Sequence, residues 1–148
     1  MVLIVLSGGI GAQMFQFAAG FAVMLPMIWL FGQWGLESLV VIPILINVIG
    51  DGLAEPVGVR FGKYRYKTKA LFTNKEYFRT FEGSACVLIT GFIVIAMHAD
   101  YFTTTQYALA MLSVPIIMTL TEAYSPHTWD TPFLMFTGYA SLILIMQF

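Results

Sequence analysis

Five apolar runs separated by polar connections organise this chain of 148 residues. They extend from about Ile10 to Phe31, Ser38 to Gly58, Glu82 to His98, Gln106 to Tyr124 and Pro132 to Phe148. Residues 1–9 either lengthen the first run or lie at the interface. A helix that crosses the hydrocarbon of a bilayer needs roughly 20 predominantly apolar residues, and these runs approach that length. Leu, Ile, Phe and Met occur all round each run, so no stripe distinguishes a lipid-facing side from a protein-facing one. The pattern predicts an all-α fold: a polytopic integral membrane bundle of about five transmembrane helices. Residues 1–148 form a single membrane domain, complete in itself or the C-terminal catalytic part of a longer protein. The longest connection, 59–81, has no room for a soluble domain.

Composition agrees, with 59% hydrophobic and 10% charged residues and a mean hydropathy of +0.82. A soluble domain carries about 25% charged residues, so this surface is too apolar for water. No basic segment precedes the first apolar run, and no cleaved secretory signal is expected. The lone Cys86 has no partner for an internal disulfide.

Net charge, −1, hides the separation of charge along the chain. All seven basic residues, Arg60, Lys63, Arg65, Lys67, Lys69, Lys75 and Arg79, fall in one connection. Positive residues collect in cytoplasmic loops, so this loop and the N-terminus are expected inside. The two connections assigned to the opposite side hold Glu37 and Asp100 but no Lys or Arg. The fourth run then returns to the basic side at a second polar segment, Glu122 to Asp130. Two acidic segments and a basic loop converge on one face.

Polar groups at that face are candidates for chemistry. Asn47, Asp51 and Glu55 are four apart and share a face if the helix is continuous. Gly50, Ala54, Gly58 and Gly62 run beside them, a row of small residues that admits close approach of another helix or a ligand. Ionisable groups at membrane depth are costly and need compensation. Magnesium held by Asp51 and Glu55 would supply it, as would Arg60 and Lys63; a simple interfacial salt-bridge network would also suffice. Magnesium takes carboxylate oxygens and is commonly shared with substrate phosphates. Arg60 and Lys63, nearest the acids, are candidate phosphate contacts; Lys67, Lys69 and Lys75 read better as contacts to anionic headgroups. Thr80 suits the N-cap of the third helix, and the Gly83 and Ser84 amides are alternatives for binding phosphate at a helix N-terminus. His127 is a candidate general base or a structural turn residue, and Asp130 a candidate cap for the fifth helix. No Walker loop, GxGxxG, HExxH or paired-cysteine pattern occurs.

Three segments in order carry a resemblance. Gly50-Asp51-Gly52-Leu53-Ala54-Glu55-Pro56-Val57-Gly58 with Phe61-Gly62-Lys63 is similar to the G-D-(small)-x-A-x-x-x-G-x-x-(F/Y)-G signature of membrane-bound polyprenol kinases. Those include phytol and farnesol kinases, dolichol kinase and CTP-dependent diacylglycerol kinase. Thr80-Phe81-Glu82-Gly83-Ser84 resembles their (S/T)-x-E-G-(S/T) segment. Glu122, Ser125 and Asp130 resemble E-x-x-S-x-x-x-x-D-N, with Thr131 in place of the Asn.

The resemblance implies a lipid kinase that transfers a phosphoryl group from CTP, with magnesium, to an isoprenoid alcohol at the cytoplasmic face. Asp51, Glu122 and Asp130 would be catalytic, with Asp51 and Glu55 on the metal. Arg60, Lys63, Glu82, Gly83 and Ser84 would hold the nucleotide. The partners implied are a lipid alcohol, a nucleoside triphosphate and the bilayer, with self-association allowed and no nucleic-acid polymer. Competing readings are CDP-lipid synthesis in the manner of the phosphatidate cytidylyltransferases, diacylglycerol as acceptor, and a non-enzymatic scaffold for anionic lipid. The kinase reading requires Asp51, Glu82 and Glu122 to gather in a single pocket on the inner-leaflet side, within reach of one bound triphosphate.

Overall fold

The computed structural model describes residues 10–69, 76–125 and 130–148. Helix α1 spans Ile10–Gln33. Gly35, at φ 68°, turns the chain into α2, a helical run over Glu37–Phe61. A hairpin follows, β1 (Arg65–Lys69) and β2 (Glu76–Thr80), and then α3 (Phe81–Met97), α4 (Thr104–Tyr124) and α5 (Asp130–Ile145). The molecule is mostly helical. Among the described residues, α2 and α4 are long and apolar enough to cross a membrane; α3 and α5 are apolar but shorter. The helices begin and end within three residues of the limits expected from hydropathy.

The hairpin adds an element that the all-α expectation lacks. Its strands pair antiparallel, with Tyr66 opposite Arg79 and Lys67 opposite Phe78. Reading the loop only for its charge conceals a period of two: Arg65 and Lys67 are exposed, whereas Tyr66 and Thr68 turn inward. On the outer face Lys67 Nζ lies 5.3 Å from the Phe78 ring centroid, a cation–π pair.

Helix α2 is irregular. Residues Ile46–Asp51 form a π-helical turn, between a stretch opened by the 3-10 turn Glu37–Leu39 and the regular segment Gly52–Phe61. Along this helix the row of small residues packs against α3, as its spacing suggests. A Cβ on Gly50 would lie 3.0 Å from Val87 Cα, and one on Gly58 2.5 Å from Thr80 Oγ1. From the α3 side, a Cβ on Gly83 would lie 2.8 Å from the Ala54 carbonyl oxygen. These backbones meet because no side chain separates them. Substituting Gly83 with alanine pushes against backbone that has no rotamer to give. It is expected to cost about 1–3 kcal/mol, the usual range for overpacking, read as lowered thermal or denaturant stability in detergent. Unchanged stability would show that α2 and α3 are free to separate.

The core lies between α2, α3, α4 and α5. Val87, Val114, Met118, Leu134, Tyr139 and Leu142 are fully buried in it. Tyr139, the largest of these, donates its hydroxyl to the Val40 carbonyl at 3.1 Å and meets Phe31 edge-on. Gly91 faces Pro115 and Gly138 faces Pro43 in close contacts of the same kind. Helix α4 opens with a reciprocal capping box between Thr103 and Gln106.

Candidate functional site

The end of the bundle beside the hairpin gathers polar side chains from the hairpin and from α2, α3, α4 and α5. Strand β2 runs into α3 without a linker: Thr80 ends the strand and caps the helix, its Oγ1 accepting from the Gly83 N–H at 3.1 Å. That amide is therefore satisfied internally and is not free for phosphate. The cross-strand partners Tyr66 and Arg79 share a face, and both side chains reach into the gap between α3, α4 and α5.

Arg79 is the hub. Its Nη1 donates to Glu122 on α4. Its Nη2 donates to both oxygens of Asp130 on α5 and to the Ser125 carbonyl, each at 3.2 Å. The other Glu122 oxygen accepts from the Ser84 hydroxyl at 3.0 Å. A hydroxyl has one proton to give. Ser84 spends it on the carboxylate, so the Tyr66 hydroxyl, 2.6 Å away, must donate to Ser84. The Ser125 hydroxyl contacts Asp130 in the same manner. Glu122 and Asp130 expose only 3% and 5% of their surface, so their charges depend on this guanidinium.

Burial works against the Arg79 charge, but Glu122 and Asp130 outweigh it and raise its pKa above the ordinary value. The Tyr66 phenol is also pushed up, chiefly by burial, and stays protonated, as its donor role requires.

Asp51 stands apart in its bonding. It ends the π turn half-buried, within electrostatic reach of Asp130, Glu122 and Arg79. Its carboxylate forms no hydrogen bond with the described residues. Three carboxyl groups thus lie within electrostatic reach of one guanidinium. Among the described residues three buried polar atoms are unsatisfied: Arg79 Nε, a donor, Asn47 Oδ1, an acceptor one turn before Asp51, and the second carboxylate oxygen of Glu82. Buried polar atoms are rarely left unpaired, and such groups point to strain or to a missing ligand.

The predicted residues separate into two groups. Asp51, Glu122, Asp130 and Ser84 come together. Glu82 does not join them, so the single pocket of Asp51, Glu82 and Glu122 expected from the sequence is not formed: the Glu82 carboxylate accepts from the backbone N–H groups of Lys63, at 2.9 Å, and Tyr64, at 3.4 Å, tying the end of α2 to the start of α3. Gly83 serves helix packing. Arg60 and Lys63 are exposed, and neither forms an ion pair with the clustered acids; Arg60 lies over the Phe61 ring at 5.6 Å. Along Asn47, Asp51 and Glu55 exposure rises from buried to half-buried to exposed. Glu55 is thus solvent-facing beside Asp51. His127 and Pro126 lie outside the described residues. The sequence reading gave Arg79 and Tyr66 no role, although the alternation Arg65-Tyr66-Lys67-Thr68 carried a strand signal.

Magnesium was tested against this donor set. Among the described residues no three acidic, His or Cys side chains form a metal cage. Magnesium does not require one, since one or two carboxylates with phosphates and waters suffice. Asp51, free of hydrogen bonds, fits that minimal role with Glu55 beside it. Glu122 and Asp130 are committed to Arg79.

Comparison with protein-family models, with curated proteins and with solved structures finds no match to this chain.

Proposed function

We propose that this chain is a polytopic integral membrane kinase, or the catalytic part of one, transferring a phosphoryl group from CTP to an isoprenoid alcohol. One observation carries the reading: Ser84, Glu122 and Asp130 are joined through Arg79 at one end of an apolar bundle with Asp51 within electrostatic reach, so that three separate motif-like segments converge there. Ionisable residues are expensive at membrane depth and are kept there mainly for function. The basic residues at the end of α2 and in the connection to α3 favour the cytoplasmic side for that end by the positive-inside rule, and CTP is found there. Helices α3 and α5, with 17 and 16 residues, span by local thinning of the bilayer or by drawing on flanking residues.

Phosphoryl transfer asks a protein mainly for positioning and for charge stabilisation. Magnesium, when bound at Asp51 with Glu55 nearby, supplies neutralisation of the triphosphate. Arg79 presents an unpaired Nε–H to a phosphate oxygen while its Nη groups stay on the carboxylates, so the donor is oriented before the reaction starts. Glu122 and Asp130 hold Arg79 in that attitude. Asp130, bonded to Ser125, is the acid placed to accept the proton of an incoming hydroxyl. Ser84 and Tyr66 fix the Glu122 carboxylate from the other side.

The test is a reconstituted assay with CTP or ATP, magnesium and a panel of lipids. The expected products are a phosphorylated alcohol and CDP, with CTP preferred. A CDP-lipid with pyrophosphate would make the chain a cytidylyltransferase. Absence of any nucleotide binding on titration with CTP and magnesium would leave a lipid-binding scaffold.

A further inference from the structure

Arg60 and Lys63, expected on a nucleotide phosphate, stand outside the acid cluster, where α2 ends and the chain turns back towards α3. Main chain pins this junction. The Phe81 N–H donates to the Tyr64 carbonyl at 3.1 Å, and the Lys63 N–H to Glu82 at 2.9 Å. Arg60, Phe61, Lys63, Tyr64, Arg65 and Phe81 are thereby held around one point, every side chain exposed. The rings of Phe61, Tyr64 and Phe81 are 61%, 71% and 62% exposed. Apolar surface gathered in this way and rimmed by charge marks a contact with protein or membrane. Among the described residues none of the three cations forms a salt bridge. Two acids are near: Glu82, held by the Lys63 and Tyr64 amides, and Glu55, more than a turn before Arg60 on α2. Depth follows from packing. Helices α2 and α3 run antiparallel in backbone contact, Gly50 facing Val87 and Gly58 facing Thr80, so their joined ends share one level of the bilayer.

We propose that this junction is a headgroup site for an anionic phospholipid of the surrounding leaflet, with Arg60 and Lys63 on its phosphate and Phe61, Tyr64 and Phe81 against its glycerol and upper acyl chains. A free phosphate would suit the same cations, but the surface leading to them is made for lipid. Leu53, Pro56 and Arg60 follow the i, i+3, i+7 spacing of one helix face, and all are exposed. Arg60 thus terminates an apolar stripe on the outside of a helix long enough to span the membrane, the position from which a guanidinium reaches up to headgroups. Aromatic rings at the ends of spanning helices settle at the same level. The inference is independent of the kinase reading and shares only its membrane placement.

The experiment titrates the full chain, in detergent and without nucleotide, with a fluorescent phosphatidylglycerol. Saturable binding is expected, displaced by unlabelled phosphatidylglycerol and phosphatidic acid and not by phosphatidylcholine. Arg60→Gln and Lys63→Gln, at exposed positions where the fold has little to lose, should each weaken binding about fivefold, the equivalent of roughly 1 kcal/mol per charge at a membrane surface. Tyr64→Ser should weaken it with no change of charge. Lys69→Gln combined with Lys75→Gln removes as much charge from the same connection and is expected to leave binding largely unchanged. An equal loss in that pair would overturn the site in favour of diffuse attraction to the whole basic connection. Displacement by inorganic phosphate, or by CTP with magnesium beyond the effect of magnesium alone, would return the cations to a free phosphate and overturn the lipid assignment. Release of the chain from membranes by alkaline carbonate would overturn the membrane placement and this site with it. Selective lipid binding without phosphoryl transfer would uphold the site and count against the kinase alone.

Discussion

Replacing Arg79 with alanine is expected to destabilise the protein by about 3–5 kcal/mol, the usual cost of stripping one partner from a buried ion network. Glu122 and Asp130 would then lie buried, close together and without a counter-charge. Lysine should recover only part of the loss. Its single ammonium cannot reproduce a fork that serves Glu122 with one nitrogen and Asp130 and Ser125 with the other. Neutralising the acids together with the cation, as Arg79→Met with Glu122→Gln and Asp130→Asn, should restore most of the stability, because the penalty comes from unpaired charge. Denaturant unfolding in detergent reads all of these. A loss under about 1 kcal/mol for Arg79→Ala would mean that water reaches the cluster and screens it, as at an exposed pair.

Asp51→Asn is expected to act in the opposite sense on the two observables. Lipid phosphorylation should fall on the order of 10²–10³-fold, as when one preorganised electrostatic contact to a transition state is removed. Stability should hold or rise slightly. The substitution keeps the shape of the side chain and removes a half-buried negative charge that has no hydrogen-bond partner among the described residues. Arg79 therefore acts as structure first, and Asp51 as chemistry first. Full turnover by Asp51→Asn would take Asp51 out of the reaction, and the magnesium site with it.

The helices were legible because uninterrupted apolar runs leave little else for the chain to form. The close approach of α2 and α3 was equally readable from Gly50, Ala54 and Gly58, whose spacing has a direct packing meaning. Thr80 as a cap followed from its place before Glu82-Gly83. The hairpin was obscured because Arg65, Lys67 and Lys69 were weighed as charge, while Tyr66 and Thr68 between them supplied the strand pattern. Arg79 could not be chosen from its six basic neighbours without the pairing that sets it opposite Tyr66. Arg60 and Lys63 are nearer to Asp51 in sequence, yet the helix end carries both into solvent.

The π turn at Ile46–Asp51 has a consequence for how this polypeptide tolerates change. A regular α-helix advances about 100° per residue, so each four-residue step overshoots by about 40°, and a row spaced by fours winds off its face. A wider turn lags behind and cancels part of that drift. Its effect is a phase correction, which keeps Ile46, Gly50, Ala54 and Gly58 all buried. Deleting a single residue there would leave every hydrophobic segment intact by composition while rotating the distal half of the helix and swinging Asp51 out of line with Arg79. The membrane-spanning appearance of the chain and the alignment of its acids are thus separable properties, and an indel can abolish the second without disturbing the first.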